Sequence, residues 1–297
     1  MSTLSLGERV VRSAWRLAPQ RTLSGVVGWG ARRKLPKPVR ALVLKSFARK
    51  YEIDLAEAEW PLDRYTSLYE FFTRKLRPGA RSIAAESNAV VAPSDGVVCD
   101  AGVVSAGILL EAKGSAFTLS DLLADGELAA RLEGGPYLVT YLSPRDYHRV
   151  HSPVSGKIVG WTHIPGRLFP VGSRSVAREM GLFARNERFV TVIDGAAGLS
   201  VVVMVAAVGV GHITACYDPD VATHAPGFAT GGVRRKRFTD PPRVGRGDEL
   251  GIFNLGSTTI AVFEPKHVVL EKLAVGSAIR MGSTVGRLVP SSSGVAS

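Results

Sequence analysis

From about Ala89 onward the chain is a series of short Val/Ile-rich runs cut at close intervals by Gly and Pro. They are VVAPSDGVV at 90–98, PYLVTYL at 136–142, SPVSGKIVGW at 152–161, RFVTVID at 188–194, LSVVVMVAAV at 199–208, ELGIFNLG at 249–256 and STTIAVFE at 257–264. β-Branched side chains suit a pleated backbone, and the Gly and Pro punctuation stops each run at strand length. The pattern predicts an α+β chain with a β-rich body, a barrel or sandwich. Helical patterning interrupts it only at Leu119–Leu123 and Glu127–Leu132. A further helix is predicted ahead of it over Tyr65–Leu76, with Thr66 or Ser67 as cap and Glu70 in the first turn. Its inner face is Leu68, Phe71, Phe72 and Leu76, and Pro78-Gly79 ends it.

Charge is unevenly placed. Residues 1–50 hold 12 of the 37 basic residues and a single acidic one, Glu8, so this segment carries the whole net charge of +11. Two stretches in it have amphipathic spacing. Val10, Val11, Ala14, Trp15 and Ala18 form one apolar face; after Pro36 and Pro38, Val39, Leu42, Val43 and Phe47 form another. Basic amphipathic helices with large aromatics read as an arm lying on an anionic membrane surface. The competing readings are a mitochondrial transit peptide, helices packed on the body, and nucleic-acid binding. No nucleic-acid-reading module is recognisable, and none is expected to bind. The longest apolar run, Leu199–Gly211, falls short of the roughly 20 residues a membrane span needs. The arm is therefore predicted over residues 1–60, peripheral on the cytoplasmic face of the cell membrane, and residues 291–297 as a disordered tail. Two cysteines, Cys99 and Cys216, exclude a disulfide framework and a Cys-rich zinc site.

Three places could carry chemistry. SPRDYHRVHSP holds His148 and His151, which share a face only if they stand in a helical turn. No third ligand at a metal-binding spacing accompanies them, so no metal is expected. Asp95, in Pro93-Ser94-Asp95-Gly96, reads either as a turn residue or as the orienter of an imidazole. Ser257 follows Gly256 in Leu255-Gly256-Ser257-Thr258; it lacks the G-x-S-x-G context of a hydrolase elbow and by itself reads as a turn.

Taken together, AKG, APSDG, YLSPRDYHRVHSP, LFARNER and LGST, in that order, closely resemble the phosphatidylserine decarboxylases. The resemblance runs from about Tyr65 to Leu288. It includes EFFTRKLRPGARSI, EAKGSAFTLSDLL and the Pro165, Gly166, Leu168, Phe169 group. It implies an enzyme that makes its own cofactor. The hydroxyl of Ser257 would attack the Gly256 carbonyl, and elimination and loss of ammonia would leave a pyruvoyl group at position 257. Residues 61–256 would then be the catalytic body of the β chain and 257–290 that of the α chain, a heterodimer that the family pairs into a homodimer. Asp95, His151 and Ser257 would form the self-cleaving triad. Phosphatidylserine would bind the pyruvoyl as a Schiff base and lose carbon dioxide, with His148 as general acid. Leu168 and Phe169 would contact the substrate. His212, Gly172 and Ser173 depart from the family pattern without touching these motifs. Two rivals stand beside this reading: a pyruvoyl decarboxylase for a soluble amino acid, and a non-enzymatic membrane-bound β-barrel binding module.

Overall fold

All seven residues of the strand Ser257–Phe263 are buried, which requires cover on both edges and both faces. The computed structural model, which describes residues 28–109, 117–169, 181–207, 212–223, 225, 228, 231–254 and 257–290, shows how. The strand pairs antiparallel with Pro136–Leu142 on one side and Gly198–Ala206 on the other. It is thereby central in a nine-stranded sheet whose order is 234–237, 156–164, 188–195, 198–206, 257–263, 136–142, 96–103, 278–279, with 243–244 also paired to 156–164.

Alternation along the strands sorts side chains to two faces. Ile260, Val262, Val201, Val203 and Val139 point to a core roofed by Leu119, Leu122, Leu123 and Phe183 of the short helices. Ala261, Phe263, Val202, Met204 and Leu138 point to the other core, closed by Val150, Ile213, Leu250 and Phe253 from a three-stranded sheet (149–151, 213–215, 249–253). A strand with apolar groups on both faces reads as a continuous hydrophobic run, hence LSVVVMVAAV. The β-rich α+β expectation is met. The barrel alternative is not: among the described residues the nine strands form an open sheet. The edge strand Arg234–Arg237 is basic throughout, which discourages further strand addition.

Several predicted boundaries shift. The run 90–98 is two strands, Ala89–Val91 and Gly96–Val103, in different sheets, because residues 92–95 turn between them. The helix predicted over 65–76 is only Leu68–Phe72. Ser67 caps it, accepting from the Glu70 N–H at 3.1 Å, while Glu70 Oε2 accepts from the Thr66 N–H at 2.6 Å. Thr73 is its C-cap, with N–H and hydroxyl both on the Tyr69 carbonyl, and by Leu76 the chain is bridged to Ala58 instead.

Of the basic arm, the first amphipathic stretch lies outside the described residues. The second is the α-helix Lys37–Lys50, with Pro in its first turn and Arg49 and Lys50 in its last. Its predicted apolar face splits. Of Val39, Leu42, Val43 and Phe47, Val43 and Phe47 are half-buried and Phe47 packs on the body, whereas Leu42 stays 69% exposed and Val39 points outward; the residues buried with Tyr65 and Phe71 are Leu44 and Ala48, which the predicted face did not include. No helix among the described residues is long and apolar enough to cross a membrane.

Candidate active site

Ser257 opens its strand with Leu142 and Ala206 as direct ladder neighbours. The residue is 0% exposed, and its hydroxyl has no hydrogen-bond partner among the described residues. Gly256 lies outside the described residues. The Pro93–Gly96 turn packs against this strand: Ser94 Oγ is 3.0 Å from Thr259 Oγ1, and the Pro93 carbonyl accepts from the His151 N–H at 2.7 Å. The turn thus lies between Ser257's strand and the histidine segment.

His148 and His151 are not in a helical turn, as a shared face would require. His151 ends the strand Arg149–His151 and His148 immediately precedes it, so the two rings serve different surroundings. His148 is fully buried with its ring 4.0 Å from that of Phe72. Its Nδ1 lies 2.8 Å from the Asp146 carbonyl, which can only accept, so the neutral ring carries its hydrogen there. Nε2 is left as a buried lone pair without a partner. His151 is set the same way: Nδ1 faces the Gly247 carbonyl at 2.8 Å, and Nε2 lies 3.2 Å from the Tyr147 hydroxyl, which must donate to it. Burial pushes the His148 pKa down to about 3 and also lowers that of His151, with the backbone carbonyls opposing.

Asp95 is held differently from an imidazole orienter. Both its oxygens accept from Arg81 Nε, at 2.8 and 3.1 Å, and Arg81 NH2 reaches Asp95 and Glu57 together. The Met281 N–H adds a fourth bond at 2.8 Å. Burial disfavours the Arg81 cation, but its bonds to Asp95 and Glu57 outweigh this and raise its pKa. Asp95 acts on His151 through space, its charge favouring the protonated ring.

LFARNER separates into three tasks. Asn186 accepts from the Phe169 N–H and donates to the Phe169 and Ala206 carbonyls, tying the 165–169 loop to Ser257's neighbour. Glu187 pairs with the buried His163 at 3.3 Å. Arg188 donates to the carbonyls of Leu122, Asp121 and Asn186, closing the end of the helix Leu119–Leu123, and burial lowers its pKa to about 10. Leu168 and Phe169 are buried in opposite cores. Tyr147, Gly247, Arg81 and Asn186 were not singled out from the sequence. Arg81, Tyr147 and Asn186 stood inside EFFTRKLRPGARSI, RDYHRVH and LFARNER, but their tasks depend on partners that no local pattern reveals, and Gly247 stood in no motif.

The histidines also set a pH dependence. Their folded pKa values lie below the ordinary value near 6.5, so the unfolded chain takes up protons first as pH falls. Stability is full above about pH 6.5 and drops towards the folded pKa, by at most about 1.4 kcal/mol per pH unit for each ring. Urea titrations between pH 7 and 5, above the carboxylate range, should show this slope, and His148→Gln should reduce it. Parallel slopes in the two proteins would refute the buried neutral ring.

The end of an antiparallel sheet thus carries a sequestered serine, two buried neutral imidazoles and a fixed carboxylate, groups of the kind that move protons. A family model for phosphatidylserine decarboxylase matches residues 68–287. The phosphatidylserine decarboxylase proenzyme of Anaeromyxobacter sp. (strain K) is 45% identical over 283 residues, covering 95% of this chain and 99% of the relative. Those of Myxococcus xanthus (strain DK1622) and Methylococcus capsulatus (strain ATCC 33009 / NCIMB 11132 / Bath) are 39% and 37% identical, covering 95% and 96% of this chain and 99% of each relative. The chain belongs to the phosphatidylserine decarboxylase family, a family of carboxy-lyases.

Proposed function

We propose that this chain is a proenzyme that cuts itself at Gly256–Ser257, and that the mature protein decarboxylates phosphatidylserine to phosphatidylethanolamine at a membrane surface. The burial of Ser257 carries the reading. A hydroxyl that solvent cannot reach is open to no external substrate, and with no hydrogen bond holding it elsewhere it is free to attack the carbonyl preceding it in its own chain. His151 is the base: its Nε2 lone pair, which in the resting state accepts from the Tyr147 hydroxyl, would take the serine proton once that bond is exchanged, and Asp95 would favour the charge that results.

The residues present fit a pyruvoyl group. Position 257 is held by its ladder with Leu142 and Ala206, its side chain makes no bond whose loss would leave a partner unsatisfied, and cleavage would turn it into an accessible chain end. Once formed, the group supplies a carbonyl for the substrate amine and a sink for the electrons released with carbon dioxide. His148 then handles the proton. With Nδ1 held by the Asp146 carbonyl, Nε2 is the atom that would carry the proton to the carbon that lost its carboxylate, once bound anionic substrate offsets the burial that disfavours the charged ring. The α and β chains stay joined through the central ladder, since Ser257–Phe263 lies between strands of the β chain.

The test is direct. Purified protein and detergent-dispersed phosphatidylserine, with no cofactor added, should give carbon dioxide and phosphatidylethanolamine in equal amounts. No release, or release that needs added pyridoxal phosphate, rejects the reading. Faster turnover of a free amino acid than of the lipid favours the soluble-substrate alternative.

Membrane contact is supported by exposed Trp29, Val39 and Leu42 among Arg33, Lys37, Lys45 and Arg49, with the Arg33 guanidinium 3.9 Å above the Trp29 ring. Substituting both Trp29 and Leu42 by Ser should weaken co-sedimentation with phosphatidylserine-containing vesicles about tenfold. Turnover of detergent-dispersed lipid should persist. Undiminished binding would place the membrane contact elsewhere.

A further inference from the structure

Arg74 follows the helix Leu68–Phe72 and is only 5% exposed. Its NH2 donates to the Arg145 carbonyl at 2.9 Å. Its Nε and NH1 are buried and meet no acceptor. The Phe71 ring lies 5.4 Å from the guanidinium carbon, and the carboxylates of Asp95, Asp146 and Glu57 reach it only through space. Burying a cation without pairing it is among the costliest arrangements in a fold, and desolvation accordingly lowers the Arg74 pKa. The neighbouring Thr73 carbonyl is already taken, accepting from Arg149 Nε and NH2. Nothing among the described residues uses the remaining donors of Arg74.

Its position gives them a use. Leu142 is Ser257's ladder partner, and the loop leaving Leu142 runs through residues 143–148. In that loop the Arg145 carbonyl anchors Arg74, the Asp146 carbonyl fixes the His148 tautomer, and His148 presents its own unpartnered nitrogen. Arg74 is close enough for its charge to act on the His148 ring. The unsatisfied ring nitrogen is therefore on, and the unsatisfied donors are bonded to, the loop that leaves the ladder partner of Ser257.

We propose that Arg74 is the receptor for the phosphodiester of the lipid headgroup. The assignment rests on the decarboxylase reading above. A guanidinium matches an oxyanion in charge and donor geometry. Two oxyanions are available on the substrate, and the reaction discriminates between them. The carboxylate loses its charge as carbon dioxide departs, so gripping it would stabilise the ground state over the transition state. The phosphodiester keeps its charge throughout, and binding it lowers KM without opposing the chemistry.

The experiment compares mature wild type with Arg74→Lys and Arg74→Met. It measures kcat and KM on detergent-dispersed phosphatidylserine, inhibition by glycerophosphoethanolamine and by inorganic phosphate, thermal stability, and cleavage by intact mass. Arg74→Met should raise KM and weaken glycerophosphoethanolamine inhibition about tenfold to a hundredfold, with kcat within about threefold. Arg74→Lys should fall between. Because the charge is a burden on the fold, Arg74→Met should keep or raise the melting temperature and still cleave itself. Equal KM and equal inhibition in all three proteins overturn the assignment while leaving the decarboxylase reading intact. So does a fall in kcat with unchanged glycerophosphoethanolamine inhibition, which points to the carboxylate. Inorganic phosphate inhibiting as tightly as glycerophosphoethanolamine overturns it in favour of a free-phosphate site, and a marked loss of stability in Arg74→Met makes the residue structural. A wild type that neither turns over lipid nor is bound by glycerophosphoethanolamine overturns both.

Discussion

Ser257→Ala should remain one chain and be inactive, while wild type separates on a denaturing gel into residues 1–256 and the 41 residues from Ser257 to Ser297. The substitution is unusually clean. The Ser257 hydroxyl has no hydrogen-bond partner and its neighbours in the ladder are Leu142 and Ala206, so removing one oxygen leaves no polar group unpaired and opens little space. Stability should change by less than about 1 kcal/mol. An uncut chain would then report lost chemistry and not lost structure. In wild type the small chain should lack a free amino terminus and weigh one ammonia less than simple hydrolysis of the bond would give. Activity should be abolished in Ser257→Ala, because without the cut no carbonyl exists for the substrate amine. A Ser257→Ala protein that still splits between 256 and 257 removes Ser257 as nucleophile. A small chain with an ordinary serine terminus removes the pyruvoyl group.

The sequence disclosed what is written locally and hid what depends on distant pairing. Pro136–Leu142 and Ser257–Phe263 were readable because strands covered on both faces leave continuous runs of Val, Ile, Leu and Thr. Leu119–Leu123 was readable because its apolar spacing and its Thr118 cap lie within a few residues. Closure of the sheet was not, since whether 234–237 meets 278–279 depends on curvature summed over nine strands. The arm shows the same limit. Helical spacing marked Lys37–Lys50 as amphipathic, yet which apolar residues face the body was decided by Tyr65 and Phe71, beyond the helix itself.

The candidate site divides along the same line. Asp95, His148, His151 and Ser257 were named through long motifs. Their surroundings were not: the carbonyl fixing the His151 tautomer belongs to Gly247, 96 residues away, and the cation on Asp95 is Arg81. Arg74 looked like one more polar residue on a helix that the structure ends before it. The expected Asp–His pair is replaced by a backbone carbonyl that sets the tautomer and a carboxylate that acts at a distance.

That division predicts that the two histidines fail differently. His151→Ala should slow or stop self-cleavage, because it removes the proton acceptor and strands the Tyr147 hydroxyl that donates to it. His148→Ala should still mature, since the ring is bonded to the Asp146 carbonyl and packed at a tilt against Phe72, and takes no part in the Tyr147–His151–Gly247 chain. Its turnover should fall about 10²–10⁴-fold, the usual contribution of one positioned acid or base. Maturation serves as the internal fold control: a His148→Ala preparation that is fully cut by intact mass has assembled the ladder around position 257. The loss should lie in kcat, because a proton delivered to carbon is needed only in the reaction itself. A fully cut His148→Ala enzyme with wild-type kcat would mean that the buried Nε2 carries no proton. The return of hydrogen to carbon would then fall to solvent or to another group near Arg74, and the neutral ring would be a packing partner of Phe72 whose lone pair is simply tolerated.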